Sequence, residues 1–570
     1  MAGPYQRLAN GQSADTGAQA LPTVMNAVQE GLEDAESAIA GKAATGHLHS
    51  GVYDPAGSAA SAQAAAVQRA NHTGTQTAST ISDFHTAVRT NRLDQMATPT
   101  AAVAMGSQKI TGLGTPTAST DAATKAYADS VASAGVGVVD VLANGIVADT
   151  RFFTVSTTAG NATVTATASV HASLGANVFS ASDVGKAIHL YGASGSGWLR
   201  TTVASYVSPT QVTVASTPSA TTTGRGAFVG TDNTSALSSV CSALTDTQTL
   251  YFPASEFFYL SSGGHTVGTA HNVVAGAGRH ATRIVTTSDT ANVFTFNRTA
   301  TTWRPQFAEV RDLSILHGTA LANDLDPGSV TWPTAGSALR FTSTYYSGSR
   351  VRNVHICGFY VGVDVDSGQV QVDDSIIQSC AFAGCRFNNS ADPDYGMFSV
   401  RGCHFAWSDG AVETGARAVQ WIQGGGLGVT DCRFDGRQQY HVELDFNGAL
   451  ATGNVRISDN MFEDFGTHAV YIDVSAGTGD LGYIAIADNV IQGGSDIPFK
   501  LVAATHGANR SRPASDHGIA AVSISGNMRY NGSGVFIDLT RCRDVAVIGN
   551  RQLKGGTVLT QTNCVNVTEV

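Results

Sequence analysis

Residues 454–490 read NVRISDNMFEDFGTHAVYIDVSAGTGDLGYIAIADNV, and this stretch decides the fold. Ile457 and Ile486 stand 29 positions apart and open two similar strands. Two residues before each lies another apolar side chain, Val455 and Ile484. A period of two puts both on one face of a strand. Three residues after each start comes an asparagine, Asn460 and Asn489. A second strand, Val470-Tyr471-Ile472-Asp473, follows Ile457 after thirteen residues. Working outward, equivalent starts occur at Val310, Val351, Val372, Val400, Val429, Ile524 and Val547. From Val372 to Ile486 the intervals are 28, 29, 28 and 29, and nearly constant spacing of this length signals a solenoid. Longer gaps hold insertions, such as 318–336 and 503–517.

The position three after each start reads Cys403, Cys432, Asn460, Asn489, Asn527 and Asn550. Coils of a parallel solenoid stack about 4.8 Å apart, so this file lies one side chain above another. An inward asparagine at a tight turn can bond the next asparagine and the turn backbone, leaving no buried amide unpaired. Cysteine fills the same volume with little polar demand. The second strands Val361-Gly362-Val363-Asp364, Val442-Glu443-Leu444-Asp445, Val470-Tyr471-Ile472-Asp473 and Val535-Phe536-Ile537-Asp538 turn their aspartates outward, with Asp445 and Asp473 on neighbouring coils.

Composition agrees with an extended all-β chain. Of 570 residues only 14% are charged and 62 are glycine. The net charge of −11 argues against nucleic acid as the partner, which needs a basic face. No run of 18 apolar residues predicts a membrane span, and the N-terminus has no basic-then-apolar leader. The eight cysteines all follow residue 240; this is not a small disulfide scaffold, and we read most as buried free thiols made in a reducing cytoplasm.

Three regimes divide the chain. Residues 1–40 form an N-terminal segment and 41–137 an aromatic-poor stretch whose Ala-rich part, 56–70, is predicted helical. It has too few large apolar residues to bury a core alone, so burial between wrapped copies is expected. Residues 138–230 alternate polar and apolar and read as a small β-domain. Residues 231–570 carry the repeat, opening with a short helix capped by Asp232 or a threonine, then a strand at Thr249.

Two segments, NHTGTQTASTISDF at 71–84 and QKITGLGTPTASTDAATKAYAD at 108–129, resemble stalk segments of bacteriophage tail fibres. The short helix followed by the Thr249–Phe252 strand resembles the entry of pectate-lyase-like proteins. Together the resemblances imply a right-handed parallel β-helix, preceded by a small β-domain and an extended, partly helical trimeric stalk. They imply a virion tail component: a homotrimer attached to tail or baseplate proteins by its N-terminus, binding a host cell-envelope polysaccharide, without membrane insertion. They imply that His47 and His49, a His-x-His pair, could meet on the three-fold axis and hold iron; otherwise no cofactor is expected.

Two other functions stay open: a polysaccharide depolymerase on the same scaffold, and a structural spacer with no ligand. Glycan cleavage by two carboxyl groups needs them about 5–5.5 Å or 6.5–9.5 Å apart. Asp435 and Glu463 share one offset on adjacent coils, with Asp464 beside Glu463, and are the candidate catalytic residues. Trp407, Tyr440 and His468 are the candidate sugar contacts, since aromatic faces stack on sugar rings. Asp373–Asp374 and the pair Asp409 and Glu413 are weaker candidates. No phosphate loop or zinc-protease motif occurs, which excludes a nucleotide enzyme.

Overall fold

The computed structural model describes residues 137–570 apart from 170–176, 196, 269–270, 298–306, 326–330, 343–347, 390–395, 408–412, 446–453, 476–480, 494–496, 504–518 and 533. Before 137 it describes ten isolated positions, of which Ser61, Gln63 and Ala64 in the Ala-rich stretch are helical. The expected stalk, the attachment segment and the His47–His49 pair lie outside the described residues. The chain divides into two units, Met1–Gly114 and Thr115–Val570, and the fold below is that of the second.

Three parallel sheets form a β-helix. Sheet I has thirteen described strands, from Val138–Asp140 to Val565–Glu569. Sheet II has eleven, from Ser255–Leu260 to Arg551–Gln552, and sheet III eleven, from His265–Val267 to Leu559–Thr562. The chain visits I, II and III in turn, then climbs one coil. The sequence reading found two strands per coil; the short sheet II strands, many of only three residues, leave too little alternation to see a third.

The strand starts found in sequence form one register column: Val310, Val351, Val372, Val400, Val429, Ile457, Ile486, Ile524 and Val547 pair in succession. Val139, Leu250 and Val274 extend it backward. All are buried except Val139, which packs against the same core. Sheet II contributes an inner column that includes Phe405, Phe434 and Phe462, stacked at 5.1 and 4.9 Å. In sheet III, Val363 pairs on toward Cys385, Val419, Val442 and Val470. This register moves two of the outward aspartates. Asp364 and Asp538 share the column of Glu443 and Tyr471, whereas Asp445 and Asp473 pair two residues further on.

The turn from sheet I to sheet II explains the asparagine file. Its first residue is Asp312, Asn353, Asp374, Gly402, Asp431, Asp459, Asp488, Gly526 or Gly549, each with φ between 49° and 68°. That left-handed region is open to glycine and tolerated by Asp and Asn. The next residue then points inward. Asn489 Oδ1 accepts from the Asn460 N–H (3.0 Å) and Nδ2 (2.9 Å), and Asn489 Nδ2 donates to Ile457 O (3.0 Å) and Asn527 Oδ1 (2.8 Å). Asn527 repeats the pattern onto Asn550. Cys432 takes one bond from this ladder, its N–H donating to Asn460 Oδ1, while its Sγ–H and that of Cys403 turn to backbone carbonyls.

The small β-domain is a closed antiparallel barrel of six strands within Arg151–Gly230. It precedes the β-helix, of which a single described strand, Val138–Asp140, lies ahead of it in the chain and pairs with Thr249–Tyr251 in sheet I. Helix α1 (Thr234–Ala243) closes the open end of the core with Leu237, Val240 and Cys241. Its N-cap is Asn233, not Asp232 or a threonine; the Asn233 side chain bonds Val147, and Asp232 accepts the Thr234 N–H instead. Barrel residues Phe152, Tyr191, Trp198 and Phe228 pack against Phe257, Tyr259, Val285 and Leu316 on the outer side of sheet II. A second helix, α2 (Gly318–Leu325), follows Leu316 and adds Ala322 to this junction. The barrel covers the first coils of sheet II, and further along its outer column becomes polar. All eight cysteines are free, and six are buried. Among the described residues no helix is long and apolar enough to cross a membrane.

Candidate functional site

The outer face of sheet II carries the carboxylates singled out in sequence. Phe434 and Phe462 point inward, so their neighbours point out. The Arg433–Met461 and Phe434–Phe462 pairs put Asp435 and Glu463 on adjacent coils. Asp435 meets His404 Nε2 at 2.7 Å and Arg433 Nε at 3.0 Å, while Arg433 Nη2 lies 3.4 Å from Glu463. Burial raises the Asp435 carboxyl, but its bonds to His404 and Arg433 outweigh that and hold it below the usual range. Partial burial and the Asp435 charge push Glu463 up. Arg433 thus bridges the two carboxyl groups.

Two other sequence candidates fall elsewhere. Asp464 is a left-handed turn residue (φ 50°), and a side chain at Gly493 would strike its carboxylate. Trp407 is 8% exposed and belongs to the hydrophobic core, so its ring offers no platform to a sugar. It is buried because its strand ends at Ala406 and the chain turns inward there, beneath Gly436. Asp373 is clamped by Arg350 (2.6 Å) and Arg401 (3.5 Å). Asp409 lies outside the described residues.

Tyr440 and His468 stand on sheet III, paired across neighbouring coils. Their rings stack at 5.8 Å and 8°. Tyr471 joins them, 4.8 Å from Tyr440 at 13° and 5.3 Å from His468 at 16°. His468 is 7% exposed and its Nδ1 is tied to Ile497 O at 2.6 Å, whereas both tyrosines are half-buried. The Arg417 guanidinium lies between Phe382 (4.8 Å) and Tyr440 (5.8 Å) and forms an ion pair with Glu443. Gln420 donates to Glu443 at 2.9 Å, and its own Oε1, on a residue 4% exposed, has no partner among the described residues.

Two residues along, Asp445 pairs with Asp473. Burial and then the Asp473 charge raise the Asp445 carboxyl. Asp473 accepts from Tyr471 Oη at 2.8 Å, and Asp445 has no bonded partner among the described residues. The charges that bear most on Tyr440 are Glu443, Arg417 and Asp473, all on its own sheet. The structure thus splits the sequence-derived patch into a carboxylate clamp on sheet II and an aromatic group on sheet III. Sequence reasoning missed Arg417, Gln420 and Tyr471. Their signal was present: Gln420, Glu443 and Tyr471 share one outward register column, and Glu443 and Tyr471 are the polar members of two of the quoted second strands.

Among the described residues no group of three or more His, Cys, Asp or Glu is arranged to hold a metal ion.

Residues 341–523 match the family model described as "Right handed beta helix region". No curated protein matches the sequence. Among solved structures, DFA-IIIase from Arthrobacter chlorophenolicus A6 without its lid, in complex with GF2, is 12% identical with a TM-score of 0.42, covering 59% of this chain and 91% of that one. A tailspike protein of bacteriophage CBA120 is 13% identical with a TM-score of 0.38, covering 60% of this chain and 54% of that one. An open-reading-frame product of Geobacillus virus E2 is 15% identical with a TM-score of 0.31, over 60% and 57%. These likenesses are distant, and the functional reading rests on the site instead.

Proposed function

We propose that this chain is a tail-fibre or tailspike subunit that binds a host cell-surface glycan, and that sheet III carries the contact. The observation behind this reading is the half-buried Tyr440–Tyr471 stack, bordered by Asp445 and Asp473. Tyrosine faces cover the apolar side of a sugar ring, and carboxylates with free lone pairs accept its hydroxyls. The stalk-like segments 71–84 and 108–129 supply the virion side of the proposal. In it the protein is a homotrimer in the tail, held by its N-terminus, and three equivalent faces add their weak contacts. His47 and His49 would bind iron at the trimer axis.

Adsorption competition tests the role. Purified protein added before phage should block attachment; protein that never blocks it removes the receptor reading. One observation favours a second reading, a depolymerase: Asp435 and Glu463 titrate apart, one lowered and one raised, as an acid–base pair does. A reducing-end assay on host cell-wall polysaccharide decides it. New ends that vanish in Asp435→Asn and Glu463→Gln support cleavage, and none at high protein concentration excludes it.

A further inference from the structure

The last two coils bring together a pair of cysteines that no role above uses. Ile519 pairs with Cys542 and Arg543 with Val565, so Cys542 and Cys564 occupy one register column at the entry to sheet I. Each follows a left-handed turn residue, Arg541 (φ 57°) and Asn563 (φ 52°), which aims both side chains the same way. The Cys542 N–H donates to Cys564 Sγ at 3.4 Å, which sets the second sulfur against the first cysteine. Neighbouring coils lie about 4.8 Å apart, within the Cα separation of about 4.4–6.8 Å that a disulfide spans.

Access separates this pair from the other stacked pair. Cys403 and Cys432 also share a column, but each is 2% exposed. Cys542 is fully buried, whereas Cys564 is partly open to solvent. The bond from Cys542, with further backbone N–H donors, lowers the Cys564 thiol to about 6, while Cys564 and burial push Cys542 up. The more accessible sulfur is thus the thiolate, and the buried one keeps its proton.

We propose that Cys564 is a thiol–disulfide exchange site, and that Cys542 resolves it to close a bridge between the last two coils. The co-reactant is a low-molecular-weight disulfide, RSSR. The Cys564 thiolate attacks one of its sulfurs; a protein–SR bond forms, the RS–SR bond breaks, and one RS⁻ leaves and takes a proton from water. Cys542 then loses its proton to solvent and attacks Cys564 Sγ, expelling the second RS⁻. In sum, two protein thiols are oxidised to a disulfide and RSSR is reduced to two RSH. The bridge ties down Val565–Glu569, which ends sheet I with no neighbour beyond it among the described residues.

The test uses the full chain and oxidised glutathione. After acid quenching, alkylation and peptide mapping, two of the eight thiols should be gone, in a peptide linking Cys542 to Cys564. The bridging rate should fall about tenfold for each pH unit below 6, as the thiolate is lost. Amides 565–569 should exchange hydrogen more slowly after oxidation, and Cys564→Ser should abolish the bridge without changing the far-ultraviolet spectrum. Eight intact thiols, a glutathione adduct on Cys564 that never resolves, or a bridge between any other pair would each overturn the proposal. Because wild-type mapping alone decides the matter, a variant that fails to fold does not obscure it.

Discussion

The asparagine file inside the coil and the sheet III face outside it use the same stacking geometry to opposite ends. Inside, Asn489 gives and receives four bonds with the coils on either side, and nothing is left over. Outside, Gln420 Oε1 lacks a partner among the described residues and Asp445 pairs with Asp473, whose charge raises it. A saturated column can only hold the fold, since any further ligand would have to displace an existing bond. An unsaturated one has capacity for a hydroxyl, an amide or water. The difference teaches that repetition marks structure, and that function is to be sought where a column breaks its own rule.

The sharpest way to break this contrast is to cut the inner file. Asn489→Ala removes four bonds and strands the Asn460 N–H in the core. A loss on the order of 4 kcal/mol is expected in chemical denaturation, since each unmet buried group costs about 1–3 kcal/mol. A cost below about 1 kcal/mol would show that the file is not the support described here.

Acid should act on the interior next. Burial is the leading cause that lowers His189 to about 3 and His265, His317 and His441 to about 4, so all four are neutral in the folded chain. The unfolded chain binds their protons near pH 6.5. Their contribution is therefore intact above 6.5 and is lost as pH falls toward 4, by up to about 1.4 kcal/mol per pH unit for each group. Melting temperatures should drop across that window, and a flat profile from pH 7 to 4.5 would contradict the burial.

Within the file, Cys432→Ala should cost only about 1 kcal/mol, as a small cavity with no stranded amide. That sharpens the contrast between filling a column and bonding along it. On the sheet II face, Glu463→Gln should change stability by less than about 0.5 kcal/mol, because Arg433 is largely exposed and Asp435 keeps His404. A large loss there would mean that the clamp supports the fold.

Much of the coil was legible because inward positions repeat. Val429, Ile457 and Ile486 recur at one offset, and the asparagines mark the turn that follows them. The turn residue before each asparagine, Asp459, Asp488 or Gly526, carried the same information and went unread. Sheet II stayed hidden because a strand of three residues, such as Met461–Glu463, shows only one inward side chain. The strand ahead of the barrel was illegible too, since a pairing between Val138 and Thr249 leaves no local trace. The outer site was half read. Tyr440 and His468 were found from their shared offset, but Trp407, placed by its offset of seven after Val400, turned out to face the core.

The most direct measurement is binding of the purified protein to host cell-wall polysaccharide, wild type against Tyr440→Ala/Tyr471→Ala, with matched melting curves. Loss of the two half-buried rings should weaken binding at least about tenfold, the size of a central aromatic contact, while folding holds. Unchanged affinity in a folded double variant would remove sheet III as the glycan face.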